Sequence, residues 1–236
     1  MTKVDALTGP SRPTASGKTA TSAVVLLHGY GSNGDDLIGL VPFFAQALPD
    51  TVFYSPNGAE PLDVGFGAGY QWFGLTNYDP AAMARDPAAL TARFENYGPG
   101  ADKVTPIINT FLDQVLAAHS LEANQLALIG FSQGTMMSLH VGLRREKQLA
   151  AILGFSGALL GGSKIPTAMK SKPPVMLIHG DSDPVVPPQA TVEAAKILRA
   201  NGVACETGFV QGLQHSIDGS GAQAGATFLR KHLLQA

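Results

Sequence analysis

Short apolar runs alternate with longer amphipathic stretches along most of this chain, and that alternation limits the fold more than any other feature. Strands buried on both faces of a sheet have such continuous apolar runs, and helical segments between them make neighbouring strands parallel. The predicted strands span residues 23–28, 51–55, 126–130, 150–155, 174–179 and 203–210. We therefore expect a single α/β domain with a mostly parallel, twisted sheet and helices on both of its faces.

The clearest predicted helix follows Asp102, whose carboxylate is placed to cap the first turn. Further helices are predicted over residues 135–147, 191–200 and 221–234. The apolar residues that recur on one face of the helix after Asp102 are Val104, Ile107, Ile108, Phe111, Leu112, Val115 and Leu116.

Two segments depart from this alternation. Residues 1–22 are expected to form an N-terminal edge segment of the domain that residues 23–236 make up. Within this segment, residues 4–7 and part of residues 14–20 are expected to pair as an antiparallel hairpin. Residues 56–100 are irregular and contain several Gly and Pro, so we expect them to form a loop insertion over a site.

A Gly-x-Ser-x-Gly pattern at residues 130–134 is the first motif that carries chemistry. It follows an apolar run and precedes a predicted helix, and a tight strand-to-helix turn is the setting in which such a serine becomes an exposed nucleophile. The helix N-terminus then lies beside the serine, where its dipole favours a developing negative charge. Ser132 is therefore a candidate nucleophile.

Ser132 is followed in the chain by acids and then by a histidine, which is the order of the α/β-hydrolase triad. Asp181 and Asp183 both follow the predicted strand 174–179, and on the residues alone either could be the acid. His215 lies in a glycine-flanked loop after the last predicted strand, from which it can reach back over the sheet. We take it as the general base, which a serine needs within hydrogen-bond reach.

The other five of the six histidines have structural interpretations. His140 and His232 lie inside predicted helices, and His119 lies at a helix end, where it is expected to interact with the helix dipole. His28 and His179 end predicted strands and are expected to be hydrogen-bonded core groups or supports of the site.

Composition excludes several classes of protein. The 236 residues include 16 Lys and Arg against 18 Asp and Glu, and this net charge of −2 gives no basic surface for nucleic acid or an anionic membrane. Cys205 is the only cysteine, which excludes an internal disulfide and fits a reducing compartment. Residues 1–23 lack the apolar stretch of a signal peptide, and we expect a cytoplasmic protein.

Two phosphate-binding patterns offer rival interpretations. Residues 29–34 match Gly-x-Gly-x-x-Gly after a strand, which would suit a dinucleotide-dependent oxidoreductase. The ribose-binding acid should end the next strand, whereas Asp50 precedes that strand. Residues 16–19 resemble half a P-loop but lack its first glycine, and a strand follows. A hydrolase fold that has lost catalysis and only binds ligands is a third alternative.

Taken together, the motifs resemble those of the phospholipase/carboxylesterase family of α/β-hydrolases, which includes bacterial carboxylesterases and acyl-protein thioesterases. The resemblance covers the chain from about residue 23 onward. It rests on residues 26–31, 71–73, 130–134 and 179–187 and on His215.

The resemblance implies roles for individual residues. It assigns Ser132 as nucleophile, His215 as base and Asp183 as the acid that orients the histidine. Gln133 follows the nucleophile and is expected to give one backbone N–H to the oxyanion hole, and the family pattern places the second donor at Tyr30.

Trp72, Phe73 and Leu75 are candidate walls of the acyl pocket, with packing of a long loop onto the core as the alternative for the aromatic side chains. Two positions differ from the family pattern. Gly74 stands where members usually have Asp, and Thr135 stands where many have a further Gly.

The resemblance therefore implies a serine carboxylesterase that hydrolyses acyl esters of small molecules through an acyl-enzyme at Ser132. Because residues 56–100 lack a long amphipathic helix of the kind that covers the site of a lipase and offer Trp72, Phe73 and Leu75 as apolar walls, short- to medium-chain esters are expected. A lysophospholipase or an acyl-protein thioesterase would use the same triad. No cofactor or metal is expected, and neither is a nucleic-acid partner or stable membrane association. The resemblance permits a homodimer.

Overall fold

A computed structural model of the protein describes residues 4–63, 68–75, 79 and 94–234. Its strands, in chain order, are β1 (Ser11–Arg12), β2 (Ser22–Leu27), β3 (Thr51–Tyr54), β4 (Glu60–Asp63), β5 (Ala68–Gln71), β6 (Leu126–Phe131), β7 (Ala151–Phe155), β8 (Val175–Gly180) and β9 (Cys205–Val210). Its α-helices are α1 (Gly34–Leu37), α2 (Val41–Ala45), α3 (Gly98–His119), α4 (Gln133–Gly142), α5 (Ile165–Ala168), α6 (Gln189–Ala200) and α7 (Gly219–Leu233).

The main sheet has the strand order β1-β3-β2-β6-β7-β8-β9. All of its neighbouring pairs are parallel except β1 with β3, which is antiparallel. The central strands are buried along their whole length, which explains why their sequences are continuously apolar and do not alternate. The predicted mostly parallel α/β sheet is confirmed.

Helices cover both faces of this sheet. On one face, apolar side chains of α3 and α4 pack against the inward-facing residues of β2 and β6. On the other face, α1, α2 and α7 pack against the alternate residues of the same strands. A third cluster joins α4 and α6 to β7 and β8 on the α3 side.

The beginning of α3 differs from the sequence-based prediction. The helix starts at Gly98 with Tyr97 as its N-cap, so Asp102 lies inside the helix and does not cap it. The Asp102 carboxylate instead contacts the ring of His140 on α4, with 2.8 Å between Oδ1 and Nε2. A tertiary contact across two helices has replaced the local capping bond. The helix predicted over residues 135–147 ends earlier, at Gly142.

The N-terminal segment also differs from its prediction. Residues 4–7 and 14–20 contain no strand, and the predicted hairpin between them is wrong. The edge strand is β1, which pairs with β3 through Ser11 opposite Tyr54. A strand of two residues is too short to produce a periodic pattern in the sequence.

Within the predicted insertion at residues 56–100, the described part contains an antiparallel hairpin of β4 and β5. An isolated bridge joins Tyr70 on β5 to Ser32, in the turn that follows β2. The hairpin is therefore attached to the carboxyl edge of the main sheet. Residues 64–67, 76–78 and 80–93 of this insertion lie outside the described ranges.

Candidate active site

Ser132 occupies the tight turn between β6 and α4 at the carboxyl edge of the sheet. Its backbone angles are φ 54° and ψ −116°, which side-chain-bearing residues rarely adopt. Its N–H donates to the carbonyl of Phe155, at 2.9 Å, and this bond fixes the turn against β7. The strained backbone is the geometry expected for a nucleophile held above a parallel sheet.

Two glycines make this turn sterically feasible. A Cβ at Gly134 would lie 1.7 Å from the carbonyl oxygen of Leu27, at the end of β2, and one at Gly130 would lie 2.4 Å from the Thr135 nitrogen. The glycines of the Gly-x-Ser-x-Gly pattern are thus required by close backbone approach.

His215 contacts a carboxylate through one ring nitrogen. Its Nδ1 lies 2.7 Å from Oδ2 of Asp183, which is only 7% exposed. The other oxygen, Oδ1, accepts from the backbone N–H groups of Val185 and Val186 at 2.8 and 3.0 Å. Because Nδ1 is engaged as a donor, Nε2 is left as the ring nitrogen able to accept a proton.

Asp183 is ionised over the ordinary pH range. Burial works to raise the pKa of Asp183, but hydrogen bonds from His179 and His215 outweigh it and hold the pKa well below its usual range. His179 is fully buried, with Nε2 placed 2.9 Å from the Val186 carbonyl and 3.2 Å from Oδ2 of Asp183. The prediction that His179 is a buried hydrogen-bonded group is confirmed.

Asp181 has a different role from Asp183. Its Oδ1 accepts from the backbone N–H of Gly212 at 2.7 Å and from the hydroxyl of Ser182 at 2.9 Å. These bonds brace the turn after β8 against the loop that carries His215. The structure therefore places Asp183, and not Asp181, against His215.

The nucleophile candidate and the base candidate line one cavity of about 270 Å³. Its walls are mainly apolar, and the described residues that line it include no Asp, Glu, Lys or Arg. The residues that line it are Tyr30, Leu75, Ser132, Gln133, Met136, Val185 and His215. Met136 and Val185 were not predicted, because an apolar residue beside a motif cannot be distinguished from core by sequence pattern.

Trp72 and Phe73 do not line this cavity. The indole of Trp72 is 0% exposed and donates from Nε1 to the carbonyl of His28 at 2.9 Å. The ring of Phe73 is buried against Tyr97, with 6.1 Å between ring centroids. For these two aromatic residues, packing onto the core is the correct interpretation, and of the three predicted walls only Leu75 lies on the cavity.

The side chain of Gln133 joins this loop to the site. Its Oε1 accepts from the Trp72 backbone N–H at 3.0 Å, and its Nε2 donates to the Phe73 carbonyl at 2.6 Å. The amide side chain thus pairs with the loop backbone as a neighbouring strand would. This contact positions the segment that leads to Leu75.

The turn after β2 is held by backbone hydrogen bonds to β5. Gly31 donates to the carbonyl of Tyr70 at 2.9 Å, and Tyr70 donates to the carbonyl of Ser32 at 2.8 Å. Within the described ranges, the backbone N–H groups of Tyr30 and Gln133 donate to no protein acceptor. Both amides are therefore available to an oxyanion. The Gly-x-Gly-x-x-Gly pattern at residues 29–34 forms this turn and the start of the four-residue helix α1.

His28 supports the same turn through both ring nitrogens. The Gly58 N–H donates to Nε2 at 2.8 Å, so Nδ1 carries the proton and donates to the Gly29 carbonyl at 2.7 Å. Burial lowers the pKa of His28 and favours this neutral form. The prediction of a hydrogen-bonded core group is confirmed.

His119 and His140 are remote from the cavity. His119, the last residue of α3, lies 2.8 Å from the Tyr54 hydroxyl, and burial lowers the pKa of the His119 imidazole. His119 lies in the last turn of α3, as predicted, and its lowered pKa favours the neutral ring, which interacts with the helix dipole less strongly than a charged ring would. Burial also lowers the pKa of His140, to about 4.

The two departures from the family pattern are accommodated locally. The Thr135 hydroxyl donates to the Phe155 carbonyl at 2.8 Å. A Cβ at Gly154 would lie 2.5 Å from the Thr135 methyl group. Because Gly154 on β7 has no side chain, a threonine fits at position 135 where many members have glycine. At Gly74, a Cβ would project into open space.

Within the described residues, no group of three or more His, Cys, Asp or Glu side chains is arranged to hold a metal ion. In the same part of the chain, no helix is both long enough and apolar enough to cross a lipid bilayer.

Comparison with known proteins gives consistent results. The phospholipase/carboxylesterase family model matches residues 13–233. The chain is 30% identical to esterase YpfH of Escherichia coli K12 over 220 residues, covering 90% of this chain and 84% of the relative. It is 29% identical to acyl-protein thioesterase 1 of Gibberella zeae over 94% of both chains. The crystal structure of esterase PE8 superposes with a TM-score of 0.83 at 39% identity, covering 96% of this chain and 99% of that one.

Proposed function

Because the chain belongs to the phospholipase/carboxylesterase family and is a serine hydrolase of carboxylic esters, we propose that Ser132, His215 and Asp183 are its catalytic triad. The observation that carries this assignment is the 2.7 Å contact between Asp183 and His215, beside a cavity that His215 shares with Ser132. Asp183 fixes the tautomer of His215 and stabilises the imidazolium, without taking the proton itself.

In the first half-reaction, Ser132 Oγ attacks the acyl carbonyl while Nε2 of His215 takes the serine proton. The tetrahedral intermediate then collapses, the carbon–oxygen or carbon–sulfur bond to the leaving group breaks, and His215 returns the proton to the departing atom. A water molecule activated by the same histidine hydrolyses the acyl-enzyme in the second half-reaction.

The oxyanion hole is proposed to use the backbone N–H groups of Tyr30 and Gln133. Their lack of protein acceptors in the described structure supports this role, as does the position of Gln133 at the first turn of α4. Preorganised donors of this kind are each worth about 3 kcal/mol of transition-state stabilisation.

The cavity beside Ser132 is proposed to receive the acyl chain, with Leu75, Met136 and Val185 as its apolar walls. Each buried methylene contributes about 0.8 kcal/mol, so affinity should rise with chain length until the cavity is filled. A volume of about 270 Å³ supports short to medium acyl groups as the preferred substrates.

Acyl thioesters are the second candidate substrate class, because a relative that aligns with 94% of this chain is named as an acyl-protein thioesterase. Lysophospholipids are a third, and all three share one acyl-enzyme mechanism. The buried Cys205 thiol and the family resemblance support a cytoplasmic location without stable membrane association. The resemblance also permits a homodimer, which light scattering would distinguish from a monomer.

The proposed function is tested by a hydrolysis panel with the pure protein. Nitrophenyl esters from acetyl upward should give a maximum in kcat/KM at a short or medium chain, without a jump in rate when a long-chain ester forms micelles. Matched acyl thioesters and lysophospholipids measure the alternatives. Activity confined to micellar substrates would contradict the proposed preference, and activity that survives in Ser132→Ala would contradict the triad.

A further inference from the structure

A second cavity, of about 230 Å³, adjoins His215 and does not include Ser132. We propose that it receives the leaving group and that Asp36, on its wall, makes the enzyme prefer leaving groups that carry a positive charge. The proposal rests on the proposed function, because it takes Ser132 and His215 as nucleophile and base. It names a substrate class that the triad alone does not define.

The position of His215 assigns the two cavities. His215 lines both of them, whereas Ser132 lines only the first. The acyl group becomes bonded to Ser132 and therefore belongs in the first cavity. The departing oxygen or sulfur takes its proton from His215 and must leave along that histidine, which places the rest of the leaving group in the second cavity.

The two cavities differ in charge. Among the described residues, no Asp, Glu, Lys or Arg lines the acyl cavity, whereas Asp36 contributes a carboxylate to the second cavity, whose described lining contains no Lys or Arg. The Asp36 Oδ2 accepts from the hydroxyl of Ser32 at 2.7 Å, which restrains the side chain. Across the described residues, no ion pair joins Asp36 to a lysine or arginine. Its charge is therefore available to a ligand.

The remaining walls suit an alkylammonium group. Phe131 contributes an aromatic ring to the cavity, and its centroid lies 4.8 Å from that of His215. Leu40 and Ile217 add aliphatic surface. An aromatic face beside a carboxylate attracts a quaternary or primary ammonium through both the ring quadrupole and the charge. The substrate class is therefore an acyl ester or thioester whose alcohol or thiol bears a cation a few bonds from the departing atom.

The expected selectivity is moderate, because Asp36 is exposed to solvent. Surface ion pairs in water are weak and are screened by salt. We expect a preference of about 3- to 10-fold for a cationic leaving group over a neutral one of the same shape at low ionic strength. The preference should shrink in 0.5 M salt.

Butyrylcholine and 3,3-dimethylbutyl butyrate provide the test, since their leaving groups differ only in nitrogen against carbon at one position. The ratio of their kcat/KM values is measured for the wild type, Asp36→Asn and Asp35→Asn. Asp36→Asn removes the charge and keeps an oxygen for the Ser32 hydroxyl. Asp35 is the matched control, because it is an exposed neighbouring carboxylate outside the cavity lining.

We expect the ratio to exceed unity in the wild type, to fall about 3- to 10-fold in Asp36→Asn and to stay within about twofold in Asp35→Asn. The rate with the neutral ester should be the same in the wild type and Asp35→Asn and should change less than the rate with butyrylcholine in Asp36→Asn, and circular dichroism verifies the folding of both variants. As a test that needs no variant, free choline should inhibit hydrolysis of the neutral ester more strongly than 3,3-dimethylbutan-1-ol does.

A wild-type ratio at or below unity, or an equal change in both variants, would overturn the proposal while leaving the triad intact. Choline inhibiting no better than its neutral isostere would also overturn it. Failure of the proposed function has a separate signature, because then neither ester would be hydrolysed in a manner that depends on Ser132.

Discussion

Replacing Gln133 with methionine removes two buried hydrogen bonds and leaves both of their backbone partners unpaired. The side chain is 0% exposed and joins the Trp72 N–H and the Phe73 carbonyl. An unpaired buried donor or acceptor costs about 1–3 kcal/mol, so the two together should lower the free energy of unfolding by about 4 kcal/mol. For a domain of this size, that corresponds to a fall in Tm of roughly 8–16 °C.

The chain supplies its own probe for this region, because Trp72 is the only tryptophan. In Gln133→Met, tryptophan emission should shift toward that of an exposed indole at lower urea than the loss of helical circular dichroism. The KM should rise more than kcat falls, since the segment leads to Leu75 on the cavity wall. Gln46→Met, at an exposed position, is the control and should leave all three measurements unchanged.

Gln133→Glu is a second test of the two side-chain hydrogen bonds. A neutral carboxylic acid can accept from Trp72 and donate to Phe73 as the amide does, whereas a carboxylate places a charged acceptor against the Phe73 carbonyl. The folded protein therefore favours the neutral form of the introduced carboxyl group, which raises the pKa of that group. At a pH above the ordinary carboxyl pKa, the folded state then binds more protons than the unfolded state. Its stability relative to the wild type should rise as the pH falls. Wild-type stability in Gln133→Met, with unchanged emission, would contradict a stabilising role for the two Gln133 side-chain hydrogen bonds.

Three further predictions concern single residues. Asp183→Asn should lower kcat about 10⁴-fold in steady-state assays by losing control of the histidine tautomer, and a loss below tenfold would contradict its role. His140 has a pKa lowered to about 4, so its protonation favours the unfolded state and stability is lost as the pH falls from about 6.5 to 4. Between pH 7 and 4.5, the free energy of unfolding measured with urea should fall less in His140→Gln than in the wild type, by up to about 3 kcal/mol. An equal fall in both proteins would show that His140 is not the source of the pH dependence. Gly134→Ala should yield little folded protein, because its Cβ would meet a backbone carbonyl at 1.7 Å, whereas Gly39→Ala should fold normally because nothing lies within 4 Å of its Cβ. Equal yields of the two alanine variants would contradict the packing argument.

The sequence predicted the sheet well because strands buried on both faces leave a strong, continuous apolar signal. The bounds of β2 and β8 differ from their predictions by a single residue at each end. The strand β1 was missed because it has only two residues and is defined by its partner β3. The start of α3 was misplaced because Asp102 has the side chain of a capping residue, and the sequence does not reveal that its partner is His140.

For the site, chain order and motif context predicted Ser132, Asp183 and His215 as candidate catalytic residues. The structure places Asp183 against His215. The cavity walls were harder to predict, because apolar residues line pockets and cores with the same composition. Trp72 has an aromatic side chain in a loop near the site, as a pocket wall would, yet its indole N–H is satisfied in the core by a backbone carbonyl. Such a bond depends on tertiary geometry that no local pattern encodes.

Labelling with a fluorophosphonate is the sharpest test of Ser132 as the nucleophile, because the reagent bonds covalently to an activated serine. We predict one adduct per chain, located at Ser132 by mass spectrometry, and none in Ser132→Ala, whose kcat should fall by about 10⁴ or more. Ser156→Ala is the matched control, since Ser156 is also a buried serine with positive φ, 48°, at the end of a strand, and this variant should be labelled normally. An adduct at any other residue, or labelling and esterase activity that persist in Ser132→Ala, would contradict the assignment of Ser132 as the nucleophile.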